Sequence, residues 1–235
     1  QGGKFARYNL PSYTAGGTYP TADTAYDLTS KISPFMANYI LALAFDPNHN
    51  VIYLGGWNGA LGLYNTTSYT AGGTYPTADT AYSLTAKVSS FCGGCNNSAL
   101  VYDAVNDVLY DGRNNGLFHR YNTQFYIAGG TYPTADTAYD LSSKFSSLGF
   151  IESLAFDSSS QIIYIPTTYN NRFARYNTTF YTGGGVYPTA DTGYILESKI
   201  SSFGTAGLHD IAYNSASKVV HVVGDNGTFY RYNTT

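Results

Sequence analysis

The side chains that most often carry out acid–base or metal chemistry are few and scattered in this sequence. Four histidines fall at non-equivalent points of an internal repeat, with no metal-ligand spacing between them: His49, His119, His209 and His221. The only glutamates are Glu152 and Glu197. No carboxylate pair and no Ser-His-Asp order stands out either. The sequence therefore predicts a protein that is not an enzyme and that uses neither a cofactor nor a metal.

A stretch that carries Tyr and Asp is repeated four times and is the main candidate for a functional surface. "YTAGGTYPTADTAY" stands at Tyr13–Tyr26 and at Tyr69–Tyr82, with close variants at Tyr126–Tyr139 and Tyr181–Tyr194. Each copy holds one central tyrosine and one aspartate, and these are the predicted binding or assembly residues: Tyr19, Tyr75, Tyr132, Tyr187, Asp23, Asp79, Asp136 and Asp191. One carboxylate per copy is too sparse for a dedicated calcium loop.

Three interpretations of this stretch remain open. It is an extended hairpin whose tyrosine packs on a neighbouring sheet and whose aspartate accepts local N–H bonds. It is a self-assembly surface, because tyrosine brings a large rigid contact area with a polar tip. Or it is one of four weak sugar sites that gain by avidity. The copies are more uniform than the segments between them, which favours assembly or binding. The single tryptophan, Trp57, lies in a turn whose residues are not repeated.

The two cysteines and five N-x-S/T sequons indicate an extracellular or cell-surface protein. Cys92 and Cys95 form "FCGGCN", which we interpret as a small disulfide that suits an oxidising compartment. The sequons are candidate glycosylation sites, although Asn and Thr are equally good turn residues. Their asparagines are Asn65, Asn96, Asn177, Asn226 and Asn233.

Charge and hydropathy exclude two classes of partner. Charged residues make up 11% of the chain and the net charge is −3, so no basic surface is present to bind nucleic acid. No apolar run is long enough to span a bilayer, and Gln1 does not open a signal-peptide pattern. We therefore expect no membrane insertion.

The elements that position these residues follow the same repeat. Pro20, Pro76, Pro133 and Pro188 are 56, 57 and 55 residues apart. Within a repeat, as at Ile40–Asn65, three short runs rich in β-branched and aromatic residues alternate with turn residues. The Tyr-rich stretch and a fourth strand signal, such as "YDLTSKIS", come next. Because no segment keeps a period near 3.6, the sequence predicts an all-β protein with almost no helix.

Four antiparallel strands in a repeat of this length are typical of a β-propeller blade. The pattern "LAFD…VIYLGG.NG.L..YN" followed by "DLTSKIS" resembles the blades of extracellular bacterial and archaeal propeller-repeat proteins, and is similar in layout to WD-type and tachylectin-like propellers. The resemblance implies one four-bladed β-propeller domain over residues 1–235, with long Tyr-, Gly- and Thr-rich loops between strands.

The two ends of the repeat frame predict how the ring closes. The strand at 26–32 is expected to complete the last blade, whose other strands are Leu208–Tyr213, Val219–Val223 and Phe229–Tyr232. "KFARYN" at Lys4–Asn9 and "TFYRYN" at Thr228–Asn233 are then two copies of one third strand that compete for one place. A spare strand can pair with another chain.

The functional expectation is a non-enzymatic extracellular structural protein. It self-assembles into a fibre or surface polymer through the Tyr-rich loops and a terminal strand, so that its partner is a further copy of itself. The alternative is a multivalent carbohydrate-binding lectin whose partners are glycans.

Overall fold

The computed structural model describes residues 4–8, 25–36, 38–65, 81–88, 94–122, 138–145, 148–168, 172–178, 192–195 and 207–234. Within them the chain is all-β, as predicted, and every strand pairing is antiparallel. The α-helices among these residues are single turns, α1 (Thr29–Ile32) and α2 (Thr85–Val88).

Three sheets have four strands each, and their strands are hydrogen-bonded in the order in which they occur along the chain. Sheet 1 contains β3 (Ile40–Asp46), β4 (Val51–Gly56), β5 (Leu61–Asn65) and β6 (Ala81–Ser83). Sheet 2 contains β7 (Asn97–Asp103), β8 (Val108–Arg113), β9 (Phe118–Asn122) and β10 (Ala138–Asp140). Sheet 3 contains β11 (Ala155–Asp157), β12 (Ile162–Pro166), β13 (Phe173–Asn177) and β14 (Thr192–Ile195).

Two smaller sheets flank these three. The N-terminal pair consists of β1 (Ala6–Tyr8) and β2 (Ala25–Asp27). The C-terminal sheet consists of β15 (Leu208–Asn214), β16 (Val219–Gly224) and β17 (Thr228–Asn233). Both copies of the third strand are therefore formed, and they belong to different sheets.

The expected strand at 26–32 is wrong in its extent and in its partner. The strand ends at Asp27, and it pairs with Ala6–Tyr8 instead of Thr228–Asn233. Asp27 Oδ1 accepts a hydrogen bond from Thr29 N–H at 2.8 Å, which starts the helical turn α1. The place beside β16 that the strand copies compete for is occupied by β17. The N-terminal segment therefore forms its own two-stranded unit.

A short turn follows the fourth strand and fastens it to the third strand in the same way in successive units. In sheet 1, Leu84 N–H donates to the Leu61 carbonyl at 2.7 Å, and Leu61 N–H donates to Thr85 Oγ1 at 3.1 Å. Sheet 2 repeats the arrangement with Phe118 and Ser142, at 3.0 Å. The leucine of each turn is buried: Leu28, Leu84 and Leu141.

The sheets pack face to face in chain order through four hydrophobic clusters. These clusters join the N-terminal pair to sheet 1, sheet 1 to sheet 2, sheet 2 to sheet 3, and sheet 3 to the C-terminal sheet. No cluster among the residues described above joins the C-terminal sheet back to the N-terminal pair. The structure thus shows a stack of sheets, and the closed four-bladed ring remains a prediction.

Candidate functional site

The first strand of a sheet carries apolar side chains that pack on the sheet before it. In sheet 2 these are Leu100 and Tyr102, both 8% exposed and packed against sheet 1. The same positions, counted back from the turn residue that ends the strand, hold Leu43 and Phe45 in sheet 1. There the two side chains are 55% and 56% exposed. We call Leu41, Leu43 and Phe45 the open face of sheet 1.

The N-terminal pair explains why only part of sheet 1 is open. Phe5 packs edge-on against Tyr64 of β5, with ring centroids 5.3 Å apart, and both side chains are buried. Leu28 and Ile32 complete this cluster over the second and third strands. Ile40, at the start of β3, also packs against this cluster. The cluster does not include Leu41, Leu43 or Phe45, and these side chains are exposed.

The C-terminal sheet has an open face on the side that is turned away from sheet 3. Val220 and Val222 of β16 are buried against sheet 3, whereas Val223 and Phe229 are 43% and 66% exposed. The Phe229 ring stacks on the His221 ring at a centroid distance of 5.5 Å and an angle of 17°. We call His221, Val223 and Phe229 the open face of the C-terminal sheet.

We call the packing interface between two consecutive sheets a joint, and the joints inside the chain show how such faces pack together. The third residue of the second strand is a tyrosine in sheets 1 to 3. In sheets 1 and 3 it contacts the ring that precedes the turn in the following sheet. Tyr53 stacks on Tyr102 with centroids 6.2 Å apart, and Tyr164 stacks on Tyr213 at the same distance. His221 and Phe45 occupy these two positions on the two open faces.

One exposed ionic cluster connects sheet 3 to the C-terminal sheet. His209 Nδ1 lies 2.7 Å from Glu152 Oε2, and its Nε2 lies 2.6 Å from Asp225 Oδ1. The hydrogen bonds with Asp225 and Glu152 raise the pKa of His209, and the bond with His209 lowers the pKa of Asp225. Among the residues that the structure describes, no group of three His, Cys, Asp or Glu has an arrangement that could hold a metal ion.

The residues that the repeated loop predicted as a site all lie outside the described residues: Tyr19, Tyr75, Tyr132, Tyr187, Asp23, Asp79, Asp136 and Asp191. Their role stays a prediction. Cys95 is disulfide-bonded, while Cys92 also lies outside the described residues, so the predicted pair itself remains a prediction.

The sequon asparagines differ in their exposure. Asn65 is buried at the end of β5, which disfavours a glycan at that position. Asn226 and Asn233 are exposed, and Asn96 and Asn177 are intermediate. The open faces were not predicted from the sequence. Aligning the four first strands would have placed Leu43 and Phe45 beside Leu100 and Tyr102, but only packing shows which copy is covered.

A comparison of the chain with models of known protein families finds no match, and no curated protein matches it. None of the helices that the structure describes is long and apolar enough to cross a membrane.

Proposed function

We propose that the protein is a non-enzymatic structural protein that assembles with copies of itself, head to tail. The open face of the C-terminal sheet on one copy covers the open face of sheet 1 on the next. The observation that carries this proposal is the exposure of Leu43 and Phe45, at 55% and 56%, where Leu100 and Tyr102 are 8% exposed in an internal joint. His221 and Phe45 then form the same kind of ring contact as Tyr53 and Tyr102.

Burial of the apolar side chains on the two open faces favours association, but a stable assembly requires additional contact area. Full burial of a side chain such as Leu or Phe stabilises by about 1.5–3 kcal/mol, and association costs at least about 4 kcal/mol in lost motional freedom. The few apolar residues of the open faces therefore give a weak contact on their own. In the proposal the Tyr-rich loops, which lie outside the described residues, add the remaining contact area.

The geometry of the contact determines the shape of the assembly. Two different faces meet, so the interface is heterologous, and it propagates into a fibre unless the rotation between copies closes a ring. The same two faces would close a four-bladed propeller if they met within one chain. The proposal commits to contact between copies at the cell surface or outside the cell, in keeping with the sequons and the disulfide-bonded Cys95.

Cysteine cross-linking separates contact between copies from closure within one chain. We expect a mixture of Phe45→Cys and His221→Cys proteins to form a cross-linked dimer on mild oxidation, in higher yield than either protein alone. The double variant should then give a ladder of covalent oligomers. Val105→Cys, which alters a residue with the same 56% exposure as Phe45 in the turn after β7, is the matched control. A cross-link formed only within single chains of the double variant would overturn the proposal.

A second experiment measures the assembly itself. Phe45→Ser should reduce the average mass by light scattering and abolish fibres in electron micrographs, because a polar hydroxyl replaces the ring at the joint. Val105→Ser should leave both unchanged. The proposal is wrong if the unaltered protein is monomeric at every concentration, or if Phe45→Ser assembles as the unaltered protein does.

A further inference from the structure

A cavity of about 460 Å³ lies between sheets 1, 2 and 3. Its volume is within the range of about 300–1,000 Å³ that is usual for small-molecule sites. We call it the Trp57 cavity. It combines large apolar side chains with amides, a hydroxyl and one carboxylate, and its lining residues are Leu41, Trp57, Asn96, Ser98, Asn114, Phe150 and Glu152.

Two aromatic rings in this lining are exposed. Trp57 is 44% exposed and Phe150 is 41% exposed. Trp57 opens the turn between the second and third strands, where Asn114 stands in sheet 2 and Asp225 stands in the C-terminal sheet. A small polar residue therefore suffices for this turn, and the fold itself does not require the indole ring.

The Trp57 ring is held in place from one side. It packs on the Tyr39 ring with centroids 4.7 Å apart and an angle of 54° between the planes. Its backbone N–H donates to the Tyr39 carbonyl at 3.3 Å. A ring fixed in this way presents apolar area to the cavity at a low cost in conformational entropy.

Two amide side chains in the lining are oriented by bonds to their oxygen atoms. Asn96 Oδ1 accepts the Asn58 N–H at 3.2 Å, and Asn114 Oδ1 accepts the Asn96 N–H at 3.0 Å. Neither Nδ2 amide group has a hydrogen bond to another residue in the described part of the chain. Each amide nitrogen carries two N–H donors, so the lining offers fixed donors to a ligand rich in oxygen atoms.

The charges in the lining decide between classes of ligand. Among the residues that the structure describes, no Lys or Arg lines the cavity, which disfavours a phosphate or another anion. Glu152, the carboxylate in the described part of the lining, is paired through Oε2 with His209 Nδ1 at 2.7 Å. Because this pairing offsets the negative charge, a cationic ligand gains less from Glu152 than it would from a lone carboxylate. A neutral ligand with many hydroxyl groups fits the lining best.

We propose that the Trp57 cavity binds a neutral carbohydrate, such as a monosaccharide unit of a glycan. The apolar C–H face of the sugar lies on Trp57 and Phe150, and its hydroxyl groups accept from the Asn96 and Asn114 amides and donate to Glu152. None of the lining residues named above belongs to a Tyr-rich stretch. Binding requires only one copy of the chain, although Leu41 lines the cavity and also belongs to the open face of sheet 1.

The test uses the full chain and saturation-transfer NMR with free glucose, galactose, mannose and N-acetylglucosamine. We expect transfer to the ring protons of at least one of these sugars. Trp57→Asn places the residue of the equivalent turn in sheet 2 at position 57, so the fold is kept, and it should weaken binding at least tenfold. Trp57→Phe should retain part of the affinity. Phe229→Ala, which removes an exposed ring on the open face of the C-terminal sheet, should leave binding unchanged.

Three results would overturn the proposal. They are the absence of transfer to any of the four sugars, equal binding by the unaltered and Trp57→Asn proteins, and binding of choline in place of the sugars. Unchanged sugar binding in Trp57→Asn would locate the site elsewhere, for example in the loops. Because assembly is measured separately with Phe45→Ser, failure of sugar binding and failure of self-assembly are distinguishable.

Discussion

At the residue scale, one side-chain oxygen organises each turn between the first and second strands. It accepts two backbone N–H groups, located two and three residues further on, and the residues concerned are Asp46, Asp103, Asp157 and Asn214. The last residue of each turn has a positive φ: Asn50, Asp107, Gln161 and Lys218. The turn therefore needs an acceptor at its start, and Asn214 shows that a neutral amide is sufficient.

Asp157 gives this turn a dependence on pH. Burial, the largest single effect, raises the pKa of Asp157, but the hydrogen bonds from Ser159 and Ser160 outweigh it and lower that pKa from 3.8 to about 2. Because the folded pKa is the lower one, the stabilisation is present above pH 3.8 and is lost as the pH falls towards 2.

We expect Asp157→Asn to remove that acid-dependent part of stability, which is about 1–2 kcal/mol. Urea unfolding of both proteins between about pH 5 and pH 2 measures it. Asn214→Ala is the control, since it removes an acceptor without a charge and should lower stability by about 1 kcal/mol at every pH. An unchanged slope in Asp157→Asn would contradict the prediction.

His209 predicts a dependence of the opposite sign. Its pKa is raised by hydrogen bonds with Asp225 and Glu152, so its contribution is present below the ordinary value of 6.5 and is lost as the pH rises through the folded pKa. The side chains of His209, Glu152 and Asp225 are 39–51% exposed, so we expect this contribution to the free energy of unfolding to be less than about 1 kcal/mol. Unfolding curves recorded below and above neutrality measure the difference in the free energy of unfolding between the two pH values. This difference should disappear in His209→Gln, and a difference of the same size as in the unaltered protein would refute the assignment.

At the element scale, the structure differs from the sequence prediction in the turn after the fourth strand. The partial alternation of apolar and polar residues in "DLTS" predicts that the strand continues through these residues. The same letters also place an acceptor, Asp27, two residues before Thr29, and this local bond prevails over the extended conformation. The first three strands of a repeat and the turns between them were predictable, since their apolar runs and turn residues agree with each other.

The hydroxyl group in this turn makes a testable contribution to the sheet. Ser142 Oγ accepts the N–H of Phe118, the first residue of β9, at 3.0 Å. We expect Ser142→Ala to lower the free energy of unfolding by about 1–2 kcal/mol, because a partly buried N–H group loses its acceptor. Thermal unfolding measures this loss. Ser143→Ala changes the exposed neighbouring residue and should leave the melting temperature within error. Equal effects of the two substitutions would exclude the proposed bond.

At the scale of the whole molecule, the order of packing implies that stability is uneven. Sheets 2 and 3 are covered on both faces, whereas the N-terminal pair packs through one cluster on sheet 1. In a stack, each unit contacts only its neighbours, and the end units open first.

Three equivalent leucines test this order, because all of them are buried: Leu28, Leu84 and Leu141. A buried Leu→Ala substitution costs about 2–5 kcal/mol. We expect Leu84→Ala and Leu141→Ala to lower the melting temperature of the whole chain. Leu28→Ala should instead increase hydrogen exchange mainly in the N-terminal pair. A decrease in the global melting temperature of the same size for Leu28→Ala would show that the pair unfolds together with the sheets.

The strand that pairs with β16 and the faces that stay open could not be predicted from the sequence for a physical reason. Lys4–Asn9 and Thr228–Asn233 are near-copies, so the residues alone do not determine which of them pairs with β16. The same holds for Phe45 and Tyr102, which have equivalent surroundings in sequence but different cover in the fold. Such choices depend on contacts between units, which repeat periodicity does not encode.

The uniform joints also bear on how a chain of this kind changes in evolution. Tyr53 with Tyr102 and Tyr164 with Tyr213 are the same contact at two steps of the stack. Unequal recombination between gene segments that are out of step by one repeat would insert or delete a complete sheet together with one complete joint. The new neighbours would already match, so the number of sheets can change in a single genetic event without any compensating substitution.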